Sequence, residues 1–140
     1  MGEIMSLKRK EGWEQALDTY LFLTREREFA YGPCDCVSWA TEWFAQLVGE
    51  DLFVGLRGTY DTEDGANAIL AEYGGMEQLI GAFIPRRRQN FEKRGDLAVC
   101  EINGDLTTGI VADRGFVFFK PKSKGLLAKR VEIVAAFGVD

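Results

Sequence analysis

Cys34-Asp35-Cys36 sets two thiols around a carboxylate, directly after Gly32-Pro33 and directly before an apolar helical pattern. A cysteine in the first turn of a helix meets free backbone N–H groups and the positive end of the macrodipole. Both favour the thiolate, the form that attacks a carbonyl carbon. Cys36 falls at that place and is the candidate nucleophile. The chain contains no histidine, so it lacks the group that usually takes a thiol's proton near pH 7 and returns it to a leaving amine. General acid–base help contributes roughly 10²–10⁴-fold, and its loss argues against a conventional cysteine peptidase. Asp35 and Asp96 are candidates for orienting a water, but a carboxylate near its ordinary pKa is a poor acid for an amine. The plain reading of Cys36 is a small residue buried at a helix start.

The remaining chemistry-bearing groups each have two readings. Cys34, Cys36 and Cys100 could supply three thiolates to a metal, but without histidine, and with two ligands only two positions apart, this is not a zinc spacing. A Cys34–Cys36 disulfide would close a very tight, strained ring. No metal or cofactor is therefore expected, and Cys34 reads as a loop residue. Arg57-Gly58-Thr59-Tyr60 reads either as an anion site or as a loop clamp, with arginine on backbone carbonyls, glycine in the turn and tyrosine on the core. Arg86-Arg87-Arg88, after Pro85, reads as a solvated loop before it reads as a phosphate or partner contact.

Helices must position the cysteine and strands must face it. Trp13, Ala16, Leu17, Tyr20 and Leu21 recur at helical spacing and predict a helix over about 8–26. Val37, Ala40, Trp43, Phe44, Leu47 and Val48 predict a second, capped by Asp35 and stopped by Gly49, with Trp39 and Trp43 in the core. Asp61 predicts the cap of a third helix over about 62–73, ended by Gly74-Gly75. Met76, Leu79, Ile80 and Phe83 suggest a short fourth helix. Beyond Arg94 the pattern changes to strands over 97–102 and 106–111 around the turn Asn103-Gly104-Asp105. Strands over 116–119 and 131–137 follow, and an exposed face of Phe116, Phe118 and Phe119 would form a partner surface. The fold class is α+β in one domain, a helical half over about 8–84 packed on a four- or five-stranded antiparallel sheet over about 95–138.

The 140 residues carry a net charge of −5 with a pI near 4.9, which gives no electrostatic footprint for nucleic acid. No apolar run approaches the ~20 residues of a membrane helix. The first ten residues do not read as a secretory signal, and synthesis in a reducing cytoplasm is expected, with the thiols reduced.

Asp35-Cys36-Val37-Ser38-Trp39 resembles the Asp-Cys-Ser-Gly-Phe type nucleophile motif of the NlpC-type branch of the papain-like superfamily, the bacterial and phage cell-wall endopeptidases. Arg94-Gly95-Asp96-Leu97 is similar to the segment that opens their first core strand. Thr107-Thr108-Gly109-Ile110 is similar to their His-Val-Gly-Ile, with Thr107 standing where the catalytic histidine would be. A hydroxyl that does not ionise at working pH cannot replace that base. The resemblance runs from about 29 to 119.

A closer resemblance is to a phage-encoded, histidine-poor offshoot of that superfamily. It rests on Phe29-Ala30-Tyr31-Gly32-Pro33-Cys34-Asp35-Cys36, then Leu56-Arg57-Gly58-Thr59-Tyr60, then Gly95-Asp96-Leu97, in that order. It implies a papain-like domain with Cys36 heading the central helix, and a degenerate groove around Cys36 and Thr107 with Arg57, Tyr60 and Tyr31 as binding residues. It also implies a place in the virion at the phage tail tip, as a non-catalytic assembly part bound to tail hub proteins. The alternative it leaves open is a residual cysteine hydrolase acting on peptidoglycan peptides.

Overall fold

The computed structural model describes residues 7–123 and 125–140. Among them are four helices, α1 (Trp13–Thr24), α2 (Cys36–Val48), α3 (Glu63–Tyr73) and α4 (Met76–Gly81), followed by five strands, β1 (Leu97–Ile102), β2 (Asp105–Asp113), β3 (Phe116–Phe119), β4 (Leu127–Arg130) and β5 (Glu132–Phe137). The strands form one antiparallel sheet in the order β4-β3-β2-β1-β5. The α+β class follows directly.

α2 is the central element because most of its residues are apolar and more than half are buried, with only Glu42 and Gln46 as long polar side chains on its outer face. Trp39, Trp43 and Leu47 are fully buried and Phe44 nearly so, and each such side chain contributes about 1.5–3 kcal/mol by leaving water. Their polar ends are met as well. Trp39 Nε1 donates to Thr24 Oγ1 at 3.0 Å and Trp43 Nε1 to the Gly95 carbonyl at 2.8 Å, so one tryptophan ties α2 to α1 and the other ties it to the start of β1.

The sheet is rolled. β4 and β5 lie at opposite edges yet are joined through Val131 alone, which the chain can do only if the two edges curl toward each other. Leu97, Val99 and Ile110 pack toward the helices. Ala98, Cys100, Val111, Val117 and Phe119 form a second, enclosed core inside the roll. Bulges between Val99 and Cys100 and between Val111 and Asp113 add the local twist this needs. Gly109 is required at the tightest point, where a Cβ would sit 2.5 Å from the Phe118 carbonyl oxygen.

Several elements depart from the sequence expectation. α1 begins at Trp13 and ends at Thr24 instead of spanning 8–26. Gly12 turns left-handed at φ 80°, and residues before it are bound elsewhere, Lys10 N–H to the Leu47 carbonyl at 2.8 Å among them. The cap of α3 is Thr62, whose Oγ1 accepts from the Gly65 N–H at 3.0 Å, not Asp61. Asp105 belongs to β2, leaving Asn103-Gly104, both at positive φ, as a two-residue turn. Arg87 is not a solvated member of a basic run, since it is committed to a buried carboxylate described below. No exposed phenylalanine face forms either. Phe119 is buried in the second core, while Phe116 and Phe118 are half-buried beneath Arg130 and Arg94. No helix among the described residues is long and apolar enough to cross a membrane.

Candidate functional site

Cys36 is the first residue of α2, and the residue before it builds the site. Asp35 caps the helix: its Oδ1 accepts from the Ser38 N–H and its own N–H donates to Ser38 Oγ, each at 2.8 Å. Asp35 Oδ2 accepts from the Gly32 N–H at 2.8 Å and from the Tyr60 hydroxyl at 2.5 Å. Burial and the adjoining Asp35 carboxylate hold the Tyr60 hydroxyl well above its ordinary range. Gly32 sits at φ 97°, and a Cβ there would lie 2.4 Å from the Tyr60 carbonyl oxygen. Tyr31-Gly32, Asp35-Cys36 and Arg57–Tyr60, three separate stretches of sequence, are thus locked together by one carboxylate and one glycine.

Arg57 completes the clamp. It grips Asp51 through two nitrogens, at 2.6 and 3.1 Å, and reaches α2 at the Ser38 carbonyl and Thr41 Oγ1, at 3.3 and 3.1 Å. Burial would raise the Asp51 carboxyl, but the Arg57 bonds and charge outweigh it and hold that group below its ordinary value. With its donors committed this way, Arg57 is a loop clamp and not an anion site. Asp51 was the missing partner, six residues upstream in the same loop.

The Cys36 thiol lies beside Thr107 and Thr108 of β2, near enough for their hydrogen-bonding groups and the Val37 N–H to favour the thiolate. Residue 107 stands in the first half of β2, before β3 begins to pair with that strand at Ile110, so β2 has an open edge beside the helix start. The resemblance-based pairing of positions 36 and 107 is met in space. The expected lowering of the thiol is not. Burial pushes the Cys36 thiol up, the Asp35 carboxylate pushes the same way, and the three hydrogen-bond donors do not reverse it. Donors at a helix start favour the thiolate, but desolvation outweighs them here.

A cleft of about 520 Å³ opens onto Cys36 and Thr107 between the Phe29–Asp35 loop, α3 and the strand ends. Its walls are chiefly apolar, with Leu70, Leu106 and Leu127 among them, and Tyr31 and Tyr60 at one side. Tyr31 packs edge-on against Phe29 with Lys122 Nζ 5.9 Å above its ring, and Lys122 faces Glu63 of α3 at 3.9 Å. These rim charges carried no signal in the sequence, because α3 and the β3–β4 connection are far apart along the chain. Lys120 also borders the cleft, but its Nζ is committed to three carbonyls of its own loop, at 2.7–3.2 Å.

Asp96 lies outside this site. It is fully buried at the start of β1, where Arg9, Arg87 and the Lys93 N–H saturate both oxygens at 2.8–3.1 Å. A carboxylate held by two arginines is a structural hub and cannot orient a water beside Cys36. The three thiols are free and separated: Cys34 belongs to the main core and Cys100 to the core inside the roll. Burial raises both thiols, Cys100 to about 12.

No curated protein and no solved structure matches the chain. Residues 8–139 match one family model, nearly the whole sequence that the clamp, hub and cleft draw on, and the chain belongs to that family, described as Domain of unknown function (DUF6950).

Proposed function

We propose that the chain is a catalytically silent relative of the NlpC-type papain-like peptidases, carried in a phage virion at the tail tip, where it binds tail hub proteins as a structural or assembly part. The observation that carries this reading is the pairing of Cys36 with Thr107. The thiol heads the central helix and meets a strand residue at the place the resemblance gives to histidine, while burial favours its protonated form. A hydroxyl neither takes nor returns a proton near pH 7, so the pair has the shape of a nucleophile–base couple without its chemistry. The tail-tip placement and the hub partners rest on the three ordered motifs, which the Asp35–Gly32–Tyr60 lock and the Trp43–Gly95 bond join around α2.

One observation favours a second reading, a residual hydrolase acting on peptidoglycan peptides: the cleft reaches Cys36 at the first residue of α2. Cys36→Ser in the parent phage separates the two. A scaffold predicts normal particles, normal infectivity and antibody labelling of the chain at the tail tip. Intact particles that bind but fail to infect would favour the hydrolase, and particles lacking the chain would overturn the tail-tip assignment.

A further inference from the structure

The stretch from Arg114 to Val131 holds six of the chain's 17 Lys and Arg and none of its 22 Asp and Glu. In a protein of net charge −5 every charge in this stretch of sequence is cationic; Lys120 is buried on carbonyls of its own loop, while Lys129 and Arg130 are exposed on β4 itself. β4 is the outermost strand on its side of the sheet, and all four of its residues are exposed. Its backbone bonds run only to β3, so the outer N–H and C=O groups of Leu127–Arg130 have no partner among the described residues. Successive strand residues point to opposite faces. Lys129 therefore charges one face of the edge and Arg130 the other, while Leu127, 53% exposed, sits on the Lys129 face.

We propose that the β4 edge binds an extended acidic segment of a partner protein by strand addition. Main-chain pairing with Leu127–Arg130 supplies the attachment. Adjacent carboxylates in the segment meet Lys129 and Arg130 across the two faces, and an apolar residue covers Leu127. Lysine on an edge strand also deters self-pairing. Here the cations are consecutive and the surrounding hairpin carries no anion, a field that selects for an acidic strand instead of excluding every strand. Nucleic acid would use the charge but not the backbone edge. The proposal rests on the binding-module reading only for which protein supplies the segment.

The test uses the full chain and a short synthetic peptide of glutamate, valine and threonine with two adjacent glutamates. Binding is followed by amide chemical shifts, with an N-methylated copy of the peptide and a single-stranded oligodeoxynucleotide as comparisons. The expected result is binding that shifts the Leu127–Arg130 amides, is lost on N-methylation, and weakens about tenfold or more in Lys129→Glu/Arg130→Glu. Absence of binding overturns the proposal. So does equal binding of the N-methylated peptide or the oligodeoxynucleotide, which would mark charge attraction without strand pairing. So do shifts confined to the part of the cleft away from β4, around Cys36, Tyr60 and Leu70. Peptide binding is read on the isolated chain and tail-tip labelling on the particle, so the edge and the tail-tip assignment fail separately.

Discussion

The Tyr60 hydroxyl donates to Asp35 Oδ2 at 2.5 Å, one residue before the cysteine. That bond joins a loop 25 residues downstream to the N-cap of the central helix and fixes where the first turn of α2 begins. Asp35→Ala removes the cap and strands three donors, on Gly32, Ser38 and Tyr60, and is expected to cost about 2–4 kcal/mol. Tyr60→Phe removes one donor only and should cost about 1 kcal/mol. Urea unfolding of the two variants checks the order; equal losses would contradict the lock.

Asp96→Asn should be more damaging than either, although it lies outside the cleft. The change leaves the Arg9 and Arg87 guanidinium groups, 5% and 14% exposed, facing an uncharged amide. Removing one partner of a buried ion pair costs about 3–5 kcal/mol. Thermal unfolding gives the loss, and the alkylation rate of Cys36 in the folded fraction should stay unchanged. A change in that rate would return Asp96 to the site.

Stability should fall in alkali. The Cys100 thiol titrates near its ordinary value when unfolded and at about 12 when folded. Between those two values the folded state keeps a proton that the unfolded state has released. Stability is therefore fully present below about pH 8.5 and declines as pH rises, by up to about 1.4 kcal/mol per unit from this group. Cys100→Ala should flatten the slope of unfolding free energy against pH between about 9 and 12. An unchanged slope would place the sensitivity elsewhere.

The parts of the fold set by local chemistry were legible in the sequence. Asp35 before an apolar period marks the start of α2, and Asn103-Gly104 marks the β1–β2 turn. β4 was missed because all four of its side chains are exposed, so it shows no alternation, and its pairing depends on β3. The apolar spacing behind the helix over 8–26 starts only at Trp13; ahead of it, left-handed Gly12 and the Arg9 bonds to the Arg94 and Val139 carbonyls hold the chain in another path. In the site, the place of Cys36 was readable and its protonation was not, since burial by distant elements sets the latter. Asp96 looked like a site carboxylate because its arginine partners are 9 and 87 residues away along the chain.

Thr107→His places an imidazole beside the sulfur. If the geometry retains the old couple, the variant should alkylate at Cys36 at least about tenfold faster near pH 7, through an imidazolium–thiolate pair. Rates are compared by mass spectrometry of the Cys36 peptide. No acceleration in a folded variant would mean that the two positions do not face each other productively.

The most direct measurement is the rate of iodoacetamide reaction at Cys36 in the native protein from about pH 5 to 10, resolved by peptide so that Cys34 and Cys100 do not contribute. A thiol held protonated by burial reacts slowly near pH 7, and its rate is still climbing above the ordinary cysteine range of about 8.5. A rate that levels off below about pH 7 would reveal a stabilised thiolate at the helix start and contradict the silent site.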